Sequence, residues 1–296
     1  MKYSGTIIMA ALAVAQVSAH GVVTEVQGAN GVNLPGLSLI DGTPRDCASP
    51  RCGSEADTSI IRDRELGTSR ASALGRTVGG GPVDAAAMIA LFMDGAGANS
   101  TAARRARDLH AANLAARAAT TGFGLGLGLG AGGGRGGTKT PKGTVEASVG
   151  AATGAAASDG LPTTADDGTL SMVYHQVNQD GAGPLTASID ATSGGTDPSA
   201  FRDAEVTADV PGAGFGGLSL ATTTDFPVAV RMPAGMTCRG SVGGAEGVCV
   251  ARLRNSALAG PFGGSVAFTQ SAAAKKRAVE YNLARKRFAR GFRGGQ

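Results

Sequence analysis

The second half of the chain alternates apolar and polar side chains in short runs. Period-two alternation holds approximately over 169–177, 205–210, 217–222, 226–232, 247–253 and 264–269, with Pro and Gly between the runs. Successive side chains of a strand point to opposite faces, so each run reads as a half-buried β-strand closed by a turn. Residues 21–40 have shorter apolar runs rich in Gly, Val and Leu and read as strand and loop, whereas 54–70 shows no sustained apolar period. Helical signals are few. Residues 83–93 fit a short helix, and Ser100 or Thr101 can cap an Ala-rich helix running to Ala119.

Many short strands with Gly and Pro turns predict a mainly β fold: an immunoglobulin-like or fibronectin-like β-sandwich with long loops. An Ala/Gly-rich, partly helical insertion interrupts it at about 99–160. Ten of the sixteen residues in 122–137 are Gly, a composition suited to a flexible excursion, and the Ala, Gly, Thr and Ser-rich sequence through Asp159 extends it. No Gly-Lys-Ser or Gly-Lys-Thr sequence ends this segment and no G-x-G-x-x-G opens a helix, so it is not read as a phosphate loop.

Charge changes the picture at the C-terminus. The formal net charge is +4, yet residues 271–296 hold eight Lys or Arg against the single acid Glu280. Without that tail and Lys2 the body is mildly acidic, which argues against specific nucleic-acid binding by the body. The tail is expected to be a solvated, disordered extension able to meet an anionic surface. Lys276-Arg277 and Lys286-Arg287 within it are candidate processing sites.

The first nineteen residues read as an address. Lys2 gives a positive start, the apolar run 7–14 is too short to span a bilayer, and Val17-Ser18-Ala19 precedes His20 as a cleavage site. The expected product is a secreted, extracellular or wall-associated monomer with no transmembrane anchor, formed by one domain over 20–270. Cys47, Cys52, Cys238 and Cys249 allow two disulfides in three connectivities; the local pairs Cys47–Cys52 and Cys238–Cys249 close the shortest loops, and a bridge joining the two ends of the fold stays open. Asn99-Ser100-Thr101 is an N-glycosylation acceptor.

Only three histidines are present: His20, His110 and His175. Cleavage before His20 would give that residue two nitrogen donors, its α-amine and ring Nδ1. A free α-amine titrates near 7.7–8.0, so little work is needed to deprotonate it at neutral pH. One further imidazole completes a three-nitrogen set suited to copper. His175, at the exit of a predicted strand in Tyr174-His175-Gln176-Val177-Asn178-Gln179-Asp180-Gly181, is the better candidate; His110 reads as an ordinary helical histidine. Neither a hydrolase triad nor a specific pair of carboxylates stands out, and the absence of Trp weakens the case for a broad aromatic sugar platform.

Four segments resemble the fungal Gas/Mas, or Egh-type, family of secreted appressorium-associated virulence proteins. They are Ala19-His20-Gly21-Val22; Ser59-Ile60-Ile61-Arg62-Asp63-Arg64-Glu65; His175-Gln176-Val177-Asn178 with Asp180-Gly181-Ala182-Gly183-Pro184; and Arg254-Asn255 followed by Ala259-Gly260-Pro261-Phe262-Gly263-Gly264. The resemblance implies a mature N-terminal histidine and, by likeness to lytic polysaccharide monooxygenases, a copper brace made by His20 and His175 around one ion. It also suggests Phe268 as the aromatic near the axial position, against the simpler reading of a core phenylalanine, and Gln270 as a donor beside the ligand set. Additional cysteines common in related chains near Leu253 and Ser265 are absent here. The implied function is a secreted copper-dependent oxidase acting on plant or fungal cell-wall polysaccharide during host penetration. The alternative is a non-catalytic secreted or cell-surface virulence or binding factor.

Overall fold

A computed structural model describes residues 20–94, 136–214 and 216–293. The export segment, Asn99, His110 and the helix predicted to Ala119 lie outside them. The strands are β1 (Gly21–Gln27), β2 (Asn33–Pro35), β3 (Ser59–Ile60), β4 (Arg76–Thr77), β5 (Gly81–Pro82), β6 (Thr138–Lys139), β7 (Thr169–Gln176), β8 (Thr186–Asp190), β9 (Phe201–Ala208), β10 (Thr224–Arg231), β11 (Gly240–Val242), β12 (Ala245–Arg254) and β13 (Phe262–Phe268). Three α-helices accompany them among the described residues: α1 (Ala85–Met93), α2 (Ser148–Ala151) and α3 (Ala272–Arg293).

Alternation places the core. Leu170, Met172 and Tyr174 of β7 stand opposite Val230, Val228 and Phe226 of β10, and all six are buried in one apolar cluster. Burying each such side chain is worth about 1.5–3 kcal/mol. The strands join antiparallel in the order β2-β1-β7-β10-β9-β8-β12-β13-β3-β4-β5, with β6 on β10 and β11 on β12. The mainly β expectation holds, and its two layers are halves of one continuous sheet. Strand β9 pairs with β10 on one side and β8 on the other, and the sheet curls until β1 meets β13. Their approach depends on Gly264, where a Cβ would lie 2.8 Å from the Val23 backbone nitrogen.

Several expectations change. Residues 217–222 form no strand, because Gly216 and Gly217 take positive φ (62° and 68°) and turn the chain. Backbone groups there bond to the loop after β7 instead: Ala182 N–H donates to Gly217 O at 2.7 Å and Ser219 N–H to Gln179 O at 2.6 Å. Strand β8, inconspicuous by composition, is central, pairing with both β9 and β12.

Residues 136–160 belong to the folded body and not to a flexible insertion. Glu146 is buried with Arg45, which donates Nη2–H to its Oε2 at 2.7 Å and Nη1–H to Asp57 Oδ1 at 3.0 Å. Burial pushes the Asp57 carboxyl up despite Arg45. For Glu146, burial is outweighed by Arg45 and Ser148, which hold it below the ordinary range. Ala152 and Ala156 pack into the core beside α1, whose Leu91 and Phe92 carbonyls accept from Gly154 and Ala156 N–H at 3.0 Å. Small side chains there permit a close approach that composition alone presents as flexibility.

The basic tail is helical. Ser271 Oγ accepts from Ala274 N–H at 3.1 Å at the start of α3, Ala274 and Ala278 are buried one turn apart, and Asn282 donates to Gly235 O at 2.8 Å. No described helix is long and apolar enough to cross a membrane. Both local disulfides are present, Cys47–Cys52 and Cys238–Cys249, and they leave no free cysteine among the described residues.

Candidate functional site

One end of the curled sheet gathers the two candidate histidines. Val22 stands opposite His175 in the β1–β7 ladder, and Asp225 stands opposite His175 in the β7–β10 ladder. His20 continues β1 by one residue, with its carbonyl accepting from Val177 N–H at 3.0 Å. Opposed residues share a face and so do residues two apart, which puts His20, Val22, His175 and Asp225 on one side of three neighbouring strands. The diagonal relation of His20 to His175 corresponds to a separation of about 7–8 Å between backbone positions, within reach of two imidazoles. His175 Nδ1 lies 2.7 Å from Asp225 Oδ1, and both residues are buried. A carboxylate at Nδ1 favours the tautomer with its proton there and directs Nε2 as the donor atom.

His20 is enclosed by groups of different chemistry. The Phe262 ring lies 4.3 Å from its ring, centroid to centroid, tilted by 33°. Glu55 Oε1 lies 3.2 Å from Nδ1, and the backbone N–H donates to Asn178 Oδ1 at 2.7 Å. Asn178 in turn donates to Glu55 Oε1 at 3.2 Å. Burial, followed by the neighbouring Asp180 carboxylate, pushes Glu55 up to about 7. Asp180 is itself raised by burial, its own backbone N–H offsetting only part, and its Oδ2 is buried without a hydrogen-bond partner among the described residues.

The loop after β7 closes on His20 because Gly181 lacks a side chain: a Cβ there would meet the His20 carbonyl oxygen at 2.0 Å. Tyr174 pins the same loop by donating Oη–H to Gly181 O at 3.1 Å. Asn255 then ties the loop to the far half of the sheet. Its Nδ2 donates to Asp180 O at 3.2 Å while its Oδ1 accepts from Phe262 N–H at 3.0 Å. Arg62 fixes the turn before Phe262, donating to Gly260 O at 3.0 Å and Ala259 O at 2.6 Å. The four sequence segments that carry the resemblance therefore meet around His20, although they are far apart in the chain.

Phe268 and Gln270 are not brought to this end. Phe268 is fully buried opposite Cys249, six residues along β13 from Phe262 and so about 20 Å away at strand rise. Gln270 Oε1 accepts from Cys238 N–H at 2.9 Å and its Nε2 donates to Met236 O at 3.0 Å, which makes it a brace for the disulfide-bearing segment. The aromatic side chain beside His20 is Phe262, present in the Gly-Pro-Phe-Gly-Gly motif but not singled out from it. Asp225 and Glu55 carried no sequence signal, since only strand register and loop closure bring them to the histidines.

The donor chemistry fits a cation that prefers nitrogen. Two imidazoles share a face, one is oriented by a carboxylate, and an orphaned carboxylate oxygen of Asp180 lies in the adjoining loop. Among the described residues no three His, Cys, Asp or Glu side chains converge as a metal set. A third nitrogen has to be the α-amine of His20. While Ala19 is attached that atom is a peptide nitrogen, with its lone pair delocalised and its N–H given to Asn178.

The chain is 69% identical over 290 residues to the appressoria-specific virulence factor GAS2 of Pyricularia oryzae, covering 98% of this chain and 97% of that one. It is 27% identical over 289 residues to the appressoria-specific virulence factor GAS1 of the same fungus, covering 96% and 87% respectively. No solved structure matches. The profile of Egh16-like virulence factors matches residues 18–263, from the segment before His20 through the Phe262 turn, and the chain belongs to the Egh16-like virulence factor family.

Proposed function

We propose that the chain is exported, cut before His20, and binds one copper ion through the His20 amine and Nδ1 together with His175 Nε2, acting as an oxidase on cell-wall polysaccharide during host contact. The β1–β7 register supports this reading by bringing His175 beside the strand that His20 precedes, with Asp225 at 2.7 Å from His175 Nδ1. The virulence-factor relatives supply the setting of host contact. Copper, when bound, supplies one-electron chemistry toward oxygen or peroxide.

The protein's own part is positional. Removing Ala19 turns the Asn178-bound amide into an amine that loses its proton near neutral pH. Asp225 holds the His175 ring in one tautomer, and Phe262 packs against the His20 ring and shields it from water. Glu55 must release Nδ1 for that atom to meet copper. Copper titration of the natively secreted protein tests this, with His175→Ala expected to abolish tight binding.

A second reading, a non-catalytic binding factor, has its own support. The sequence has no Trp, and the loops flanking Gln179 and Phe262 expose Leu220 and Leu258 where a sugar-binding surface would place aromatic rings. Reductant-dependent release of oxidised oligosaccharides from wall polymers separates the two. Copper binding without such release favours the second.

A further inference from the structure

Strands β8, β9 and β12 carry a groove built from residues that neither reading assigns a role. It encloses about 330 Å³, at the low end of the rough 300–1,000 Å³ range of small-molecule sites. Thr186, Ser188, Pro198, Phe201, Asp203, Arg252 and Arg254 are among its walls. Register explains the arrangement. Arg252 stands opposite Ser188, and Ser188 stands opposite Asp203, so guanidinium, hydroxyl and carboxylate form one row across three strands. Arg254 stands opposite Thr186 in the next row.

Arg252 is the unusual member. It is only 8% exposed, it lies 4.2 Å over the Phe201 ring, and among the described residues its one hydrogen bond is from Nη1 to Ala73 O at 2.6 Å. Among the described residues no carboxylate is within ion-pair reach of it. Burial first, and then the like charge of Arg254, pull its pKa down to about 10, with the more distant Asp63 carboxylate offsetting only part. Arg254 is partly committed, through Nη1, to Asp63 at 2.5 Å and to Ile61 O at 3.4 Å, and its side chain is 29% exposed. A buried arginine without a carboxylate is costly unless a ligand supplies one, and the guanidinium fork matches a carboxylate in shape.

We infer that this groove binds a carboxylate-bearing sugar, a uronic acid residue of an acidic polysaccharide. Arg252 and Arg254 receive the carboxylate. Ser188, Thr186 and Asp203 lie along the same face to exchange hydrogen bonds with ring hydroxyls. Pro198 offers the apolar wall that the C–H face of a pyranose requires, while Phe201 carries the Arg252 guanidinium on its ring. A bare phosphate would use the arginines and leave Asp203 facing it unfavourably, so the acid on β9 selects for a ligand that is anionic at one end and hydroxylated at the other.

Isothermal titration of the full-length protein without added metal tests the assignment, using tri-galacturonate, neutral galactotriose and inorganic phosphate as probes. Tri-galacturonate is expected to bind at least tenfold more tightly than either of the others. Arg254→Gln, at a partly exposed position, and Asp203→Ala, at an exposed one, are each expected to weaken it severalfold with the melting temperature unchanged. Arg252→Gln should weaken it further, and the two rim variants keep the test decisive if that one misfolds. Equal affinity for galactotriose or for phosphate overturns the assignment, as does no binding by the wild type or unchanged affinity in both rim variants. Copper content has no bearing on any of these outcomes.

Discussion

His175 owes its place to two ladders at once. Register with β1 brings it to Val22 and hence to the His20 end, and register with β10 brings it to Asp225. A carboxylate behind a ligating histidine commonly changes metal affinity by about 10–100-fold. Asp225→Asn is therefore expected to weaken copper binding by about that factor, read by competitive titration against a chelator, while leaving circular dichroism unchanged. Glu65 is a second residue whose effect can be signed. Burial raises its carboxyl, but hydrogen bonds and charge from Arg76 and Arg62 outweigh this and hold it below the ordinary value. A depressed folded-state pKa contributes stability that is fully present above the unfolded value, about 4.3, and is lost as pH falls through the folded one. Thermal melts should thus drop on acidification below about pH 4.3. Glu65→Gln should lower the neutral melting temperature by a few degrees and flatten that acid limb. At this scale His20 and His175 were legible, because rare residues in a chain with three histidines attract attention. Asp225 and Glu55 were not, since nothing local distinguishes them from other acids.

Elements were legible where their alternation met a buried face. Runs near β7 and β10 have one side in the core, so pattern and packing coincide, whereas β12 and β13 are buried on both faces. The run 217–222 shows the limit: two glycines with positive φ decide the chain path, and its hydrogen bonds go to the loop after β7. Segment 136–160 fails in the other direction. Its Ala and Gly look uncommitted, yet Ala156 is fully buried against α1. Gly264 is the element-level test of the closure between β1 and β13. Gly264→Val would press side-chain atoms into Val23, and a loss of about 1–3 kcal/mol is expected from overpacking, measured by urea unfolding. The basic tail became a helix because an alanine pair one turn apart, a serine cap and Asn282 outweigh its charge density at the anchored end.

At the scale of the whole molecule, loops remote in sequence are locked together by few polar groups. Arg45 joins the segment at Asp57 to the one at Glu146, all three side chains buried. Removing one partner of such a cluster leaves buried charge unpaired and costs about 3–5 kcal/mol. Arg45→Ala is expected to destabilise the chain by that amount in denaturant titration. The curled sheet also carries two surfaces: the histidine end, closed by Asn255 and Arg62, and the arginine groove on β8, β9 and β12. Neither surface was visible in the overall charge, because the tail dominates the count. The family resemblance was legible because its segments are the ones that fold onto His20.

Under the proposed function, one cut before His20 creates the copper site. Natively secreted protein should be measured by N-terminal mass and by the spectrum of its copper-loaded form, alongside His175→Ala. A chain beginning at His20 that takes up one copper ion with nitrogen ligation is expected, with loss of that uptake in the variant. A mature chain beginning elsewhere, or copper affinity unchanged by His175→Ala, would contradict it.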